Sequence, residues 1–156
     1  MEINTRLVFP TDPATVFGLM TNPAFLAEVA REAGATDHAI RVDGLSTTSE
    51  RSLPAPESVQ KITGPTIRIL EERRWSAARP DGGRTATLTL TIPGQPIAMP
   101  GTVTLSGQGD RTRIDIRGEL TVKIPLLGKK LEAMSAPAIE DGIRAEERVA
   151  LRWLSR

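Results

Sequence analysis

Cysteine and tyrosine are both missing from this 156-residue chain, and histidine occurs once, as His38. Without cysteine there is no disulfide, no thiolate metal site, no iron–sulfur cluster and no sulfur nucleophile. One imidazole cannot build a site that needs two, and no phenol is available for acid–base chemistry. Aromatic residues make up only 3% of the chain, which leaves little bulky volume to fill an interior. An excess of one charge is lacking too. Twenty Lys plus Arg face 19 Asp plus Glu, a net of +1, so no bulk field draws nucleic acid or an anionic bilayer. No apolar run approaches the ~20 residues of a membrane span. The start, Met1-Glu2-Ile3-Asn4-Thr5-Arg6, lacks the basic-then-apolar order of a secretory signal. The expectation is a cytoplasmic protein with no membrane insertion and no nucleic-acid partner. Acidic residues are scattered rather than spaced as in a calcium loop. No glycine-rich loop follows a strand and opens a helix. Neither a metal nor a cofactor is expected.

What is present is a chain of ordinary globular composition, 39% hydrophobic and 25% charged. Its length fits one domain over 1–156, able to bury roughly 70% of the unfolded surface. Residues 2–9 alternate, with Ile3, Thr5, Leu7 and Phe9 on one face, which predicts a half-buried strand. Two short helices follow, each opened by a capping side chain before a proline, at Asp12-Pro13 and Asn22-Pro23. From residue 35 the period shifts to two. Strands are predicted at 36–43, 46–53, 66–77, 84–92, 97–106 and 111–123, with a bulge at Pro100-Gly101 because proline cannot donate to a ladder. Residues 126–154 carry a helical stripe of Leu127, Leu131, Met134, Ala138, Ala145, Val149 and Trp153. Pro137 inside this stretch should kink or split it.

Tight turns between successive strands force an antiparallel sheet, and the terminal helix is the one element large enough to cover its apolar face. The fold class is therefore α+β. A curved seven-stranded antiparallel sheet wraps around a long C-terminal helix, with two short helices between strands 1 and 2, in a helix-grip arrangement. Inward residues of the sheet are small to medium, Trp75 excepted. Either a ligand cavity lies between sheet and helix, or the helix lies close and the space is full. Leu88, Leu90, Met99, Val103, Ile116, Leu131 and Met134, with Trp75 at one end, form the expected cavity wall. The expected partner is a small hydrophobic molecule, and the protein a monomer or homodimer.

The segment Phe9-Pro10-Thr11-Asp12-Pro13-Ala14-Thr15-Val16-Phe17, continuing through Thr21-Asn22-Pro23-Ala24-Phe25-Leu26, resembles the opening of the START-like, Bet v 1-like (SRPBCC) superfamily. Arg74-Trp75, the threonine-rich hairpin and the run Lys123 to Glu132 resemble one actinobacterial branch, the uncharacterised DUF2505 family. The resemblance covers essentially the whole chain. It implies a helix-grip fold with a deep cavity, usually for a hydrophobic small molecule such as a lipid, sterol, polyketide or hormone. It implies no particular reaction, since members include carriers, sensors, cyclases and interaction modules.

Few residues offer chemistry. Glu71 and Arg73 share parity with Ile67, Ile69 and Trp75. If that face points inward, an acid and a guanidinium sit in an apolar cavity, where Arg73 would hold a carboxylate or carbonyl. If the strand twists past the sheet, Glu71, Glu72, Arg73 and Arg74 are solvated. His38 follows Asp37 on a strand, so the two side chains point to opposite faces and cannot pair. A cyclase- or hydrolase-like enzyme would use Glu71 or His38 as base and Arg73 as electrophile. A carrier or sensor would use none of them catalytically, and a protein-interaction module would have no real cavity. Lys123, Lys129 and Lys130 cluster near the helix start, either to meet an anionic head group or as exposed charges. Asp115, Arg117 and Glu119 read as a solvated ladder.

Overall fold

The structure, a computed structural model, describes residues 1–156. In β1 (Glu2–Phe9) every second residue is buried, as the alternation predicts. Chain direction then turns at two capped helices. Asp12 accepts the Thr15 amide at 2.9 Å and opens α1 (Pro13–Met20). Asn22 accepts the Ala24 amide at 2.9 Å and the Phe25 amide at 3.3 Å, opening α2 (Pro23–Glu32). In each helix a proline occupies the first turn, where its missing N–H costs nothing.

A meander follows: β2 (Asp37–Asp43), β3 (Ser46–Pro54), β4 (Thr66–Trp75), β5 (Arg84–Thr91), β6 (Ile97–Gln108) and β7 (Arg111–Glu119). A 3-10 turn (Glu57–Val59) and the short α3 (Gln60–Thr63) bridge β3 and β4. All neighbours pair antiparallel in the order β1-β7-β6-β5-β4-β3-β2. An eighth strand, β8 (Thr121–Val122), pairs with β6. The expected final strand 111–123 is thus two strands, interrupted at Leu120, whose N–H bonds the Met1 carbonyl.

The predicted bulge at Pro100 does not form. The register of β6 runs without an inserted residue from Gly101–Gly118 to Ala98–Thr121. Pro100 lies one step past the end of the β6–β7 ladder, where β7 gives way to β8. Gly101 and Gly118, directly opposite each other, are required by close approach. A Cβ on Gly101 would run into the Arg117 carbonyl, and one on Gly118 would lie 2.7 Å from Met99 Cγ.

The terminal helix α4 (Gly128–Leu154) is unbroken over 27 residues, so Pro137 does not split it. Its buried face is Leu131, Glu132, Ala136, Ile139, Gly142, Ile143, Ala145, Glu146, Val149 and Ala150. That face is rotated from the expected stripe. Leu127 and Ala138 are exposed and Met134 is half-buried, while two glutamates turn inward. Each acid has a partner there: Glu132 accepts the Val122 amide at 3.2 Å, and Glu146 meets Arg73. A packed helix pair, α2 against α4, closes the same side. Phe25 meets Trp153 edge-on at 5.5 Å, Trp153 Nε1 donates to Glu28, and Glu32 takes Arg148 and Arg152 at 3.0 and 2.7 Å. The core fills the space over β1, β7, β6 and β5, where Leu7, Phe9, Met99, Val103, Leu105, Ile114 and Ile116 are sealed from solvent.

Candidate functional site

Strands β3 and β4 break the apolar pattern of the inner face. Directly opposed residues of an antiparallel pair share a face. The pairs Thr47–Arg73, Ser49–Glu71, Arg51–Ile69 and Leu53–Ile67 therefore put two arginines and a glutamate on one surface with three aliphatics. Of the two alternatives for Glu71 and Arg73, the structure has the inward one. The strand does not twist free, and Arg73 is only 4% exposed. Glu72 and Arg74 belong to the opposite face.

From α4 comes Glu146, also buried. Arg73 Nε donates to Glu71 Oε2 at 2.9 Å, and Arg73 Nη2 reaches Glu146 Oε1 at 2.6 Å. One guanidinium thus serves two carboxylates, and the protonation states follow. Burial opposes the charge on Arg73, but Glu146 and Glu71 outweigh it and its pKa is raised. Burial also pushes Glu71 up, yet Arg73 and Arg51 overcome this and hold its carboxyl below the ordinary range. Glu146 is pushed up to about 7, first by burial and then by repulsion from Glu71, with Arg73 only partly offsetting them. Of the two carboxylates Glu71 keeps its charge the more readily, and Glu146 is the first to take a proton as pH falls. Glu146 Oε2 finds no hydrogen-bond partner.

Arg51 is the other buried cation, 6% exposed. Its Nε has no acceptor, and none of the ion pairs includes it. Its guanidinium lies against α4 at Gly142, where a Cβ would stand 2.9 Å from Nη2. Beside it a cavity of about 340 Å³ opens between sheet and helix. Arg51, Leu53 and Pro54 of β3, Ile67 and Ile69 of β4, and Ala138, Asp141 and Gly142 of α4 line it. Pro56 and the end of α2 at Ala33-Gly34 close the rim.

None of the eight expected wall residues lines this cavity. Trp75, Leu88, Leu90, Met99, Val103, Ile116 and Leu131 belong to the packed core, and Met134 packs against it half-buried. Met99, Val103 and Ile116 have no accessible surface, so a guest has nothing to touch there. The reason is volume: Met99 fills the space over Gly118, and the side chains around it are themselves sealed from solvent. The opening lies where glycine thins α4. His38 shares the inner face through its pairing with Arg51 but sits on the edge strand, with Arg31 Nη1 3.3 Å from its Nε2. It does not join Glu71 and Arg73. Lys123, Lys129 and Lys130 are exposed. Asp115 on the outer face takes Arg6 and Arg113, each at 2.9 Å.

Arg51, Glu146 and Gly142 were not among the expected site residues. Parity offered a signal for Arg51, which alternates in phase with Leu53. Spacing offered one for Glu146, three residues after Ile143 and four before Ala150.

Residues 4–154 match the family described as "Protein of unknown function (DUF2505)". No match is found among curated proteins. Among solved structures, the Zhui aromatase/cyclase from Streptomyces sp. R1128 superposes with a TM-score of 0.68 at 10% identity, covering 100% of this chain and 94% of that one. A STAR-related lipid transfer protein from Xanthomonas axonopodis gives 0.66 at 10% identity, covering 99% and 86%. A START superfamily protein from Mycobacterium smegmatis gives 0.62 at 12% identity, covering 97% and 98%. At these identities the likeness is one of fold, and the fold is the START, or helix-grip, fold.

Proposed function

Because the chain belongs to the DUF2505 family and carries the helix-grip fold, we propose that it binds a small, largely apolar molecule as a carrier or sensor. The cavity of about 340 Å³ between β3–β4 and α4 carries this reading. Its size falls at the lower end of ligand sites, roughly 300–1,000 Å³. Leu53, Ile67, Ile69, Pro54 and Pro56 give the apolar surface, and burial against them supplies about 25 cal/mol per Å². The likeness to a lipid transfer protein supports the same reading. The protein would work in the cytoplasm as one domain, without nucleic acid, metal or cofactor, as a monomer or homodimer.

The likeness to an aromatase/cyclase supports a catalytic alternative. The geometry favours it less. Glu71 and Arg73 are tied to each other and to Glu146, none of the three lines the cavity, and His38 lies on another strand. A base and an electrophile would have to leave these partners to reach a guest.

Native mass spectrometry of the protein as purified, together with calorimetric titration of 1-decanol, tests binding. Ala138 is exposed on α4 at the cavity rim, so Ala138→Trp plugs the opening without disturbing the core. The expected result is a bound apolar mass or measurable decanol binding that this variant loses. Undiminished binding in Ala138→Trp moves the site elsewhere, and no binding at all overturns the proposal.

A further inference from the structure

Arg51 is a buried cation for which the fold supplies no anion. Glu71 and Glu146 feel its field, but neither comes within ion-pair distance, because both are engaged by Arg73. A guanidinium brings five N–H donors in a planar fork. Leaving such a group buried and unpaired is costly unless something else pairs with it. The fold also makes room for this side chain. Gly142 costs α4 about 1 kcal/mol relative to alanine, and that missing Cβ is the space Nη2 occupies.

We propose that Arg51 receives a carboxylate, so that the molecule held in the cavity is an apolar carboxylic acid. This rests on the binding reading above and narrows it. The carboxylate would lie at Arg51 between β3 and Gly142, and the apolar body along Leu53, Ile67 and Ile69. Charge counting agrees. Glu71 matches Arg73, and Glu146 holds a proton up to about pH 7, which leaves one unmatched positive charge in the cluster. A dianionic phosphate fits less well. One fork cannot neutralise two charges, and Asp141, which shares the cavity wall, would repel the second. Asp141 itself is held by Arg148 at 3.2 Å and leaves Arg51 free.

The test compares decanoate with 1-decanol, equal in chain length and different in head group, by isothermal titration calorimetry on the full chain near pH 6, where Glu146 keeps its proton and the decanoate carboxyl is ionised. A charge-assisted, two-pronged contact should favour decanoate about tenfold to a hundredfold. Arg51→Met keeps the length and removes the charge, and should bring the ratio to about one. Arg51→Lys, with a point charge and no fork, should fall between. The ratio of the two affinities is the readout, so a general loss of binding is not mistaken for a lost contact. Equal affinities in the wild type, or a preference that survives Arg51→Met, overturn the carboxylate assignment and leave the cavity reading standing. Binding of neither probe overturns both.

Discussion

Glu146 makes this fold less stable at neutral pH than in mild acid. Its carboxyl ionises at 4.5 in an ordinary setting and at about 7 in the buried cluster. Between those values the folded chain holds a proton that the unfolded chain has released. Stability must then fall as pH rises through the window and level off above it. The stabilisation is fully present below 4.5 and is lost by the time pH passes the folded value. At about 1.4 kcal/mol per unit, the full span corresponds to about 3 kcal/mol, or roughly three hundredfold in the folding equilibrium. Glu71, Asp12, Glu32 and Glu132 are held below their ordinary range. Their contributions are lost only as pH falls through that range, so measurements between about pH 5 and about pH 7.5 isolate Glu146. Urea unfolding across that window should show a declining midpoint. Glu146→Gln, which keeps an acceptor for Arg73 Nη2 but cannot ionise, should flatten the decline. A wild-type midpoint that is constant or rising, or an unchanged decline in Glu146→Gln, would refute the reasoning.

Two further predictions concern the scaffold. Gly101→Ala should destabilise more than Gly118→Ala, because the first Cβ meets the Arg117 backbone and the second meets the flexible Met99 side chain. Overpacking of the second kind costs about 1–3 kcal/mol, and urea midpoints that reverse the order would contradict this account. Asn22→Ala removes the acceptor for the Ala24 and Phe25 amides. It should cost about 1 kcal/mol, seen as a lowered midpoint with an unchanged slope.

Local rules carried most of the architecture. Alternation in β1 and β5, the two Asx-Pro caps and the turns between strands all act over a few residues, and the elements they predict are present. Features that depend on distant partners were harder to read. Pro100 looks like a bulge site until β7 is seen to stop beside it. Glu146 and Arg51 look like surface charges because each, taken alone, is costly to bury. Only the meeting of β3, β4 and α4 supplies Arg73 as a partner for one and a cavity beside the other. The aliphatic pattern points to a cavity wall over the middle of the sheet, which is the part that the protein fills with its own side chains.

The sheet divides its labour along its width. Strands β1, β7, β6 and β5 carry a sealed aliphatic interior, while β3 and β4 carry the ionic groups and the opening. On the binding reading proposed above, substitutions at Leu53, Ile67 or Ala138 would reshape the cavity without touching the residues that fill the sealed half of the sheet. On the same reading, a change of guest would need edits at only a few positions on two neighbouring strands and one helical turn.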